Sequence, residues 1–94
     1  MPRYIVRAKD PDTGEFRFAI WSTIVDAPVT PFRRRDDFLL WNQEATPDRM
    51  ARVDAKGTSS LIHESAEEIM SHNRAGNGEK HLSPAKLVRA YRED

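Results

Sequence analysis

Arg3-Tyr4-Ile5-Val6-Arg7-Ala8-Lys9, Asp10-Pro11-Asp12-Thr13-Gly14 and Glu15-Phe16-Arg17-Phe18-Ala19-Ile20-Trp21 are the stretch that decides the fold. Two seven-residue runs rich in β-branched and aromatic residues flank a turn-forming cluster, which is the pattern of a β-hairpin. Pro11 supplies the fixed φ of a type I turn, and Gly14 suits a left-handed bulge position. With Lys9 opposite Glu15, Ala8 faces Phe16, Val6 faces Phe18 and Tyr4 faces Ile20. One side of the ribbon is then apolar. The other carries Arg3, Ile5, Arg7, Lys9, Glu15, Arg17, Ala19 and Trp21, a cationic face with one large aromatic.

Beyond Trp21, Thr23–Val25 reads as an extension of the second strand or a short third one. Pro28 and Pro31 do not fit a central strand, so the chain is expected to leave the sheet there, with Phe32 as an anchor. Asp26 is expected to accept turn amides, and Pro28 to fix the exit, as a rigid corner or a presented epitope. Four helices follow. Asp36 is an N-cap candidate for a short helix over about 37–44 that buries Phe38, Leu39 and Trp41. Thr46-Pro47-Asp48 is a cap, a proline at the first helical position and an acid, opening a helix that stops at Gly57 with Met50 and Val53 inward. Ser60 caps a third helix from Leu61 to about His72, with Ile62, Ala66, Ile69 and Met70 on one stripe. Asn73 or Gly76 would end it in a left-handed cap. Ser83-Pro84 opens the last helix, in which Leu82 and Leu87 occupy the hydrophobic-staple positions. The expected fold class is α+β: an N-terminal antiparallel β-hairpin or small sheet packed by three or four short α-helices. Ninety-four residues make a single domain, with residues 1–32 as hairpin and exit loop and 33–94 as the helical part.

Composition narrows the function classes. Cysteine is absent, which removes disulfides and thiolate metal sites. No apolar run approaches the ~18 residues of a membrane span, and no leader-like apolar segment occurs. A cytoplasmic location is therefore expected. Net charge is zero but divided. Residues 1–35 hold seven basic and four acidic residues, net +3, and residues 36–94 hold eight and eleven, net −3. That division gives either internal compensation or a polarised molecule with a positive docking face.

Candidate chemistry is sparse. His63, His72 and His81 stand nine residues apart, which matches no helical metal-ligand spacing, so neither metal nor cofactor is expected. Residues 73–80 are Gly-rich and basic, yet the glycines follow a helix C-terminus and lack a phosphate-loop spacing, so they read as a plain double turn. No nucleophile elbow accompanies Ser22 and Asp26, and Glu64, Glu67 and Glu68 fall on a polar helix face. These features argue against an enzyme. The candidate partner-binding residues are Arg3, Arg7, Lys9, Arg17 and Trp21 on the hairpin, with Arg33, Arg34 and Arg35 before the first helix. Arginines and a ring form a partner contact or a nucleic-acid surface. Arg7 opposite Arg17 favours an anionic partner, whereas Arg3 over Trp21 would satisfy the face internally.

Trp21-Ser22-Thr23-Ile24-Val25-Asp26-Ala27-Pro28-Val29-Thr30, followed by an Arg-Asp-Asp helix start, resembles a segment of small bacteriophage proteins, as do Thr58-Ser59-Ser60 and Asn73-Arg74-Ala75-Gly76. The resemblance implies expression in a bacterial host and action by binding. On that basis the expected function is a non-enzymatic, phage-type inhibitor of a host protein or protein complex, such as an anti-CRISPR or other anti-defence factor. The alternatives are a small nucleic-acid-binding regulator using the basic hairpin face, and a homodimeric small-ligand binder paired through Ile5, Ala19 and Trp21.

Overall fold

The computed structural model describes residues 3–43, 45–62, 65–71, 73 and 82–92. In chain order the elements are β1 (Arg3–Lys9), β2 (Phe16–Ser22), β3 (Ala27–Pro28), β4 (Arg33–Arg34), α1 (Arg35–Trp41), α2 (Pro47–Lys56), α3 (Ala66–Met70) and α4 (Pro84–Tyr91). The class is α+β, as expected: a four-stranded antiparallel sheet built on the β1–β2 hairpin and covered by four helices.

The hairpin register differs by one residue from the expected one. Tyr4 pairs with Trp21, Ala8 with Arg17, and Lys9 with Phe16. Asp10 and Glu15 close the turn, the Asp10 amide donating to the Glu15 carbonyl at 2.7 Å. Gly14 takes the expected left-handed conformation, with φ of 76°. Because side chains alternate, a one-residue slip moves all of β2 to the opposite side relative to β1. Tyr4, Val6, Ala8, Asp10, Arg17, Ala19 and Trp21 therefore share one face, and Arg3, Ile5, Arg7, Lys9, Phe16, Phe18 and Ile20 share the other.

Both faces are covered. On the first, Val6, Ala8, Ala19 and Trp21 pack with Phe32, with Ala66, Ile69 and Met70 of α3, and with Leu87 and Val88 of α4. On the second, Ile5, Phe18 and Ile20 pack with Phe38 of α1 and with Met50 and Val53 of α2. The Phe18 and Phe38 rings lie 5.9 Å apart. The hairpin is thus the middle layer of a helix–sheet–helix sandwich, not a ribbon with one wet side.

The edges are also managed. β2 is central. Beyond a turn at Thr23–Asp26, the chain doubles back as β3, with Pro28 opposite Trp21, and then as β4, with Arg33 opposite Phe18. The expectation that the chain leaves the sheet at Pro28 and Pro31 is corrected: the prolines lie along an edge, where a missing N–H breaks no ladder. Thr23–Val25 is the turn, and Asp26 is its left-handed residue, with φ of 52°. On the far side, Thr58 bridges to Val6, the Arg7 amide donates to the Gly57 carbonyl and the Ser59 amide donates to the Ile5 carbonyl.

Helix ends follow their caps. Thr46, Ser65 and Ser83 accept from the amides three residues on, and prolines open α2 and α4. Gly57 stops α2 in the left-handed region, with φ of 86°. Two helices differ from expectation in their bounds. α1 starts two residues early, at Arg35, and ends at Trp41, with Arg34 as a cap that makes no side-chain bond; Asp36 and Asp37 fill its first turn. α3 starts at Ala66 because Ser65, not Ser60, caps it, and Ile62 is left 77% exposed. Ser60 instead accepts from the Ile62 amide in a local turn. The C-cap of α3 is Ser71, in the right-handed region, two residues before Asn73. Asn73 is buried, and its side-chain amide bonds the Met70 and Leu82 carbonyls and the Leu82 amide, tying the end of α3 to the start of α4. The readings on His63, Glu64, His72, residues 74–80 and His81 lie outside the described residues.

Candidate binding surface

The turn that sets the register also removes a charge from the surface. Asp10 is fully buried. Its carboxylate accepts from the Asp12 amide at 2.9 Å, from Arg17 Nε at 2.8 Å and from Arg92 at 3.1 Å. Arg17 also donates to the Phe32 carbonyl at 3.4 Å. Asp12 in turn takes Arg89 at 2.9 Å and Arg92 at 2.6 Å. The Asp12 amide, reinforced by Arg17 and Arg92, holds the Asp10 carboxyl below the usual carboxylate range against the opposing effect of burial. Hydrogen bonds from Arg89 and Arg92 do the same for Asp12. Arg17 therefore closes one end of the core and is buried there rather than presented on the surface.

Trp21 is likewise removed from the surface. It is 0% exposed, and its indole N–H has no hydrogen-bond partner among the described residues. Ile5 and Ala19 are buried with it, one on each face, so the expected pairing cluster Ile5/Ala19/Trp21 is not a surface. Arg7 faces Phe18 across the hairpin, so the expected Arg7–Arg17 repulsion is absent too. A cation–ring contact does form, but between other partners: the Arg7 guanidinium lies 4.3 Å from the Phe16 ring centroid, and the Lys9 ammonium 5.8 Å.

The six remaining candidates fall in three places. Arg7 and Lys9 border a groove of about 510 Å³ that also meets Phe16, Lys56, Glu67 and Met70. Arg3 lies at the other end of β1, by Tyr4, Arg49, Arg52, Leu61 and Ile62, around a smaller hollow of about 290 Å³. Arg33, Arg34 and Arg35 lead into α1. Arg35 grips Asp54 with two bonds, of 2.5 and 2.9 Å, and its hydrogen bonds hold the Asp54 carboxyl below the usual range. Arg34 reaches Glu15 at 3.7 Å, with both side chains more than half exposed. The basic residues thus do not form one continuous face.

The surface feature missed from the sequence is apolar. In α1 only Phe38 is buried; Leu40 is 74% and Trp41 70% exposed, and Leu39 is exposed beside them. Burial of Leu39 and Trp41 is therefore corrected. The signal was present: four consecutive apolar residues on a helix sweep about 300° of arc, so one core cannot receive them all. Ile24 and Val25 at the β2–β3 turn, and Leu61 and Ile62 after Ser60, are exposed as well.

Among the described residues no cluster of three acidic, histidine or cysteine side chains could hold a metal ion, and no helix is long and apolar enough to cross a membrane. No family model, no curated protein and no solved structure matches the chain.

Proposed function

We propose that this protein acts by binding another protein, with the exposed end of α1 as its contact. The observation that carries the reading is Leu39, Leu40 and Trp41 standing out of a helix whose Phe38 is locked in the core. Tryptophan is a favoured hot-spot residue, and contiguous exposed apolar side chains mark interaction sites. Arg33 and Arg34, just before the helix, supply a charged rim around that apolar centre. The phage-like segment supports a bacterial host protein as the partner, met in the host cytoplasm. The action proposed for such a binder is inhibition by steric occlusion, of which an anti-CRISPR or other anti-defence role is one form. The nucleic-acid alternative is weakened by the burial of Trp21 and Arg17, its stacking ring and one of its cations.

The test is affinity capture from nuclease-treated bacterial lysate with wild type and Trp41→Asp, both checked for an unchanged circular dichroism spectrum. One stoichiometric protein held by wild type and lost by the variant is the expected result. Equal capture by both would overturn the assignment of α1, and recovery that disappears with nuclease would overturn protein binding itself. A wild-type mass of two chains that falls to one in Trp41→Asp would reassign the surface to self-association.

A further inference from the structure

Antiparallel pairing leaves alternate residues of an outer strand with their backbone groups pointing away from the partner strand. In β1 the outward residues are Ile5, Arg7 and Lys9, because Ile5 and Arg7 bond the 57–59 segment on that side. That segment covers only part of the edge. Gly57, turned by its left-handed φ, sends Thr58 and Ser59 back along Val6 and Ile5, away from Lys9. The Gly57 amide is itself taken by the Val53 carbonyl. The Arg7 carbonyl and the Lys9 amide and carbonyl therefore have no backbone partner among the described residues. They open beside the 510 Å³ groove, whose size lies within the range of ligand pockets.

We propose that this groove binds an extended acidic peptide segment of a partner protein, which adds to the outer edge of β1 at Lys9. Backbone pairing to an open edge supplies sequence-independent affinity, and alternate side chains enter the groove. Ala8, Phe16, Met70 and Pro84 offer apolar walls. Arg7 and Lys9 stand over Phe16 at the rim, and Lys56 also lines the groove, against a single acid among the described lining residues, Glu67. That balance selects a negatively charged strand. The inference is independent of the α1 surface, and either can stand without the other.

The probe is a fluorescein-labelled Glu-Val-Glu-Val-Glu-Val peptide with an amidated end, followed by fluorescence anisotropy and by amide NMR of the protein. Saturable binding is expected, with the Lys9 amide shifted and protected from exchange. Lys9→Gln, a change at an exposed position, should weaken binding several-fold. The same peptide with every second amide N-methylated, made in both phases, leaves the protein untouched. At least one phase should lose about tenfold, since it deletes the edge hydrogen bonds. Equal affinity for both methylated peptides and the parent would overturn strand addition. No saturation up to millimolar peptide would overturn the site, and displacement by inorganic phosphate with the same Lys9 shift would make it a small-anion site instead.

Discussion

Helices cover both faces of the β1–β2 hairpin, but the two faces are sealed by different means, and the one under α1 and α2 opens at Lys9 and Phe16, which are exposed. The face under α3 and α4 centres on Trp21 and ends in a buried charge cluster, Asp10 between Arg17 and Arg92. The face under α1 and α2 centres on the Phe18–Phe38 pair and is closed by an exposed ion pair, Arg35–Asp54. Surface pairs of that kind add little, whereas a buried charge left without its partner is strongly destabilising. The first face should therefore respond sharply to single substitutions, and the second should yield.

The largest expected effect tests that contrast directly. Trp21→Ala should lose about 5 kcal/mol, the top of the range for emptying a large aromatic site, because sheet, α3 and α4 all abut it. Urea unfolding measures it, and Trp21→Phe should recover most of the loss since it also removes an unpartnered indole donor. Phe38→Ala should cost about 3 kcal/mol, the low end of the same range, because a seven-residue helix can settle toward the vacated space. Equal losses at the two sites would erase the contrast.

Asp10→Asn comes next, with a fall in thermal midpoint on the order of 10 °C, as two guanidinium groups lose their buried counter-charge. Its pH signature is specific. The folded carboxyl is depressed below its ordinary value of 3.8, so its contribution is fully present above that value and is lost as pH falls through the folded pKa. Wild type should lose midpoint between pH 5 and pH 2. Asp10→Asn, already lower at pH 7, should lose less on the same descent. The smallest effect belongs to Asp54→Asn, about 0.5 kcal/mol at low ionic strength and less in high salt, read from urea midpoints in both.

The local signals in the chain were legible where one residue type satisfies one backbone need. Gly14 and Gly57 sit in left-handed conformations at the expected places, and Thr46-Pro47 and Ser83-Pro84 open helices as expected. Register was not legible. Alternation identifies which residues share a side within a strand, but it aligns two strands only when one side is wet. Here helices cover both sides, so alternation does not settle the alignment; Asp10 accepts from Arg17, seven residues away, and from Arg92, 82 residues away, in the observed one. The candidate surface suffered in consequence, since the slip carried Trp21 and Arg17 under α3 and α4. Of the eight residues expected to meet a partner, Arg7 and Lys9 are the two that border the larger groove. The helix that exposes Leu40 and Trp41 is legible in the sequence, but the direction of its apolar run is not, because composition alone does not say how much of a short helix can turn inward.

The link from Asp10 to Arg92 spans 82 residues. Contacts of such separation form late and slow a folding reaction, because a long loop must close before they reward it. The hairpin precedes α4 in the chain, and its alignment already sets Arg17 on the side of Asp10. α4 then brings Arg92 to the same carboxylate, so the last helix fastens an alignment made 82 residues earlier.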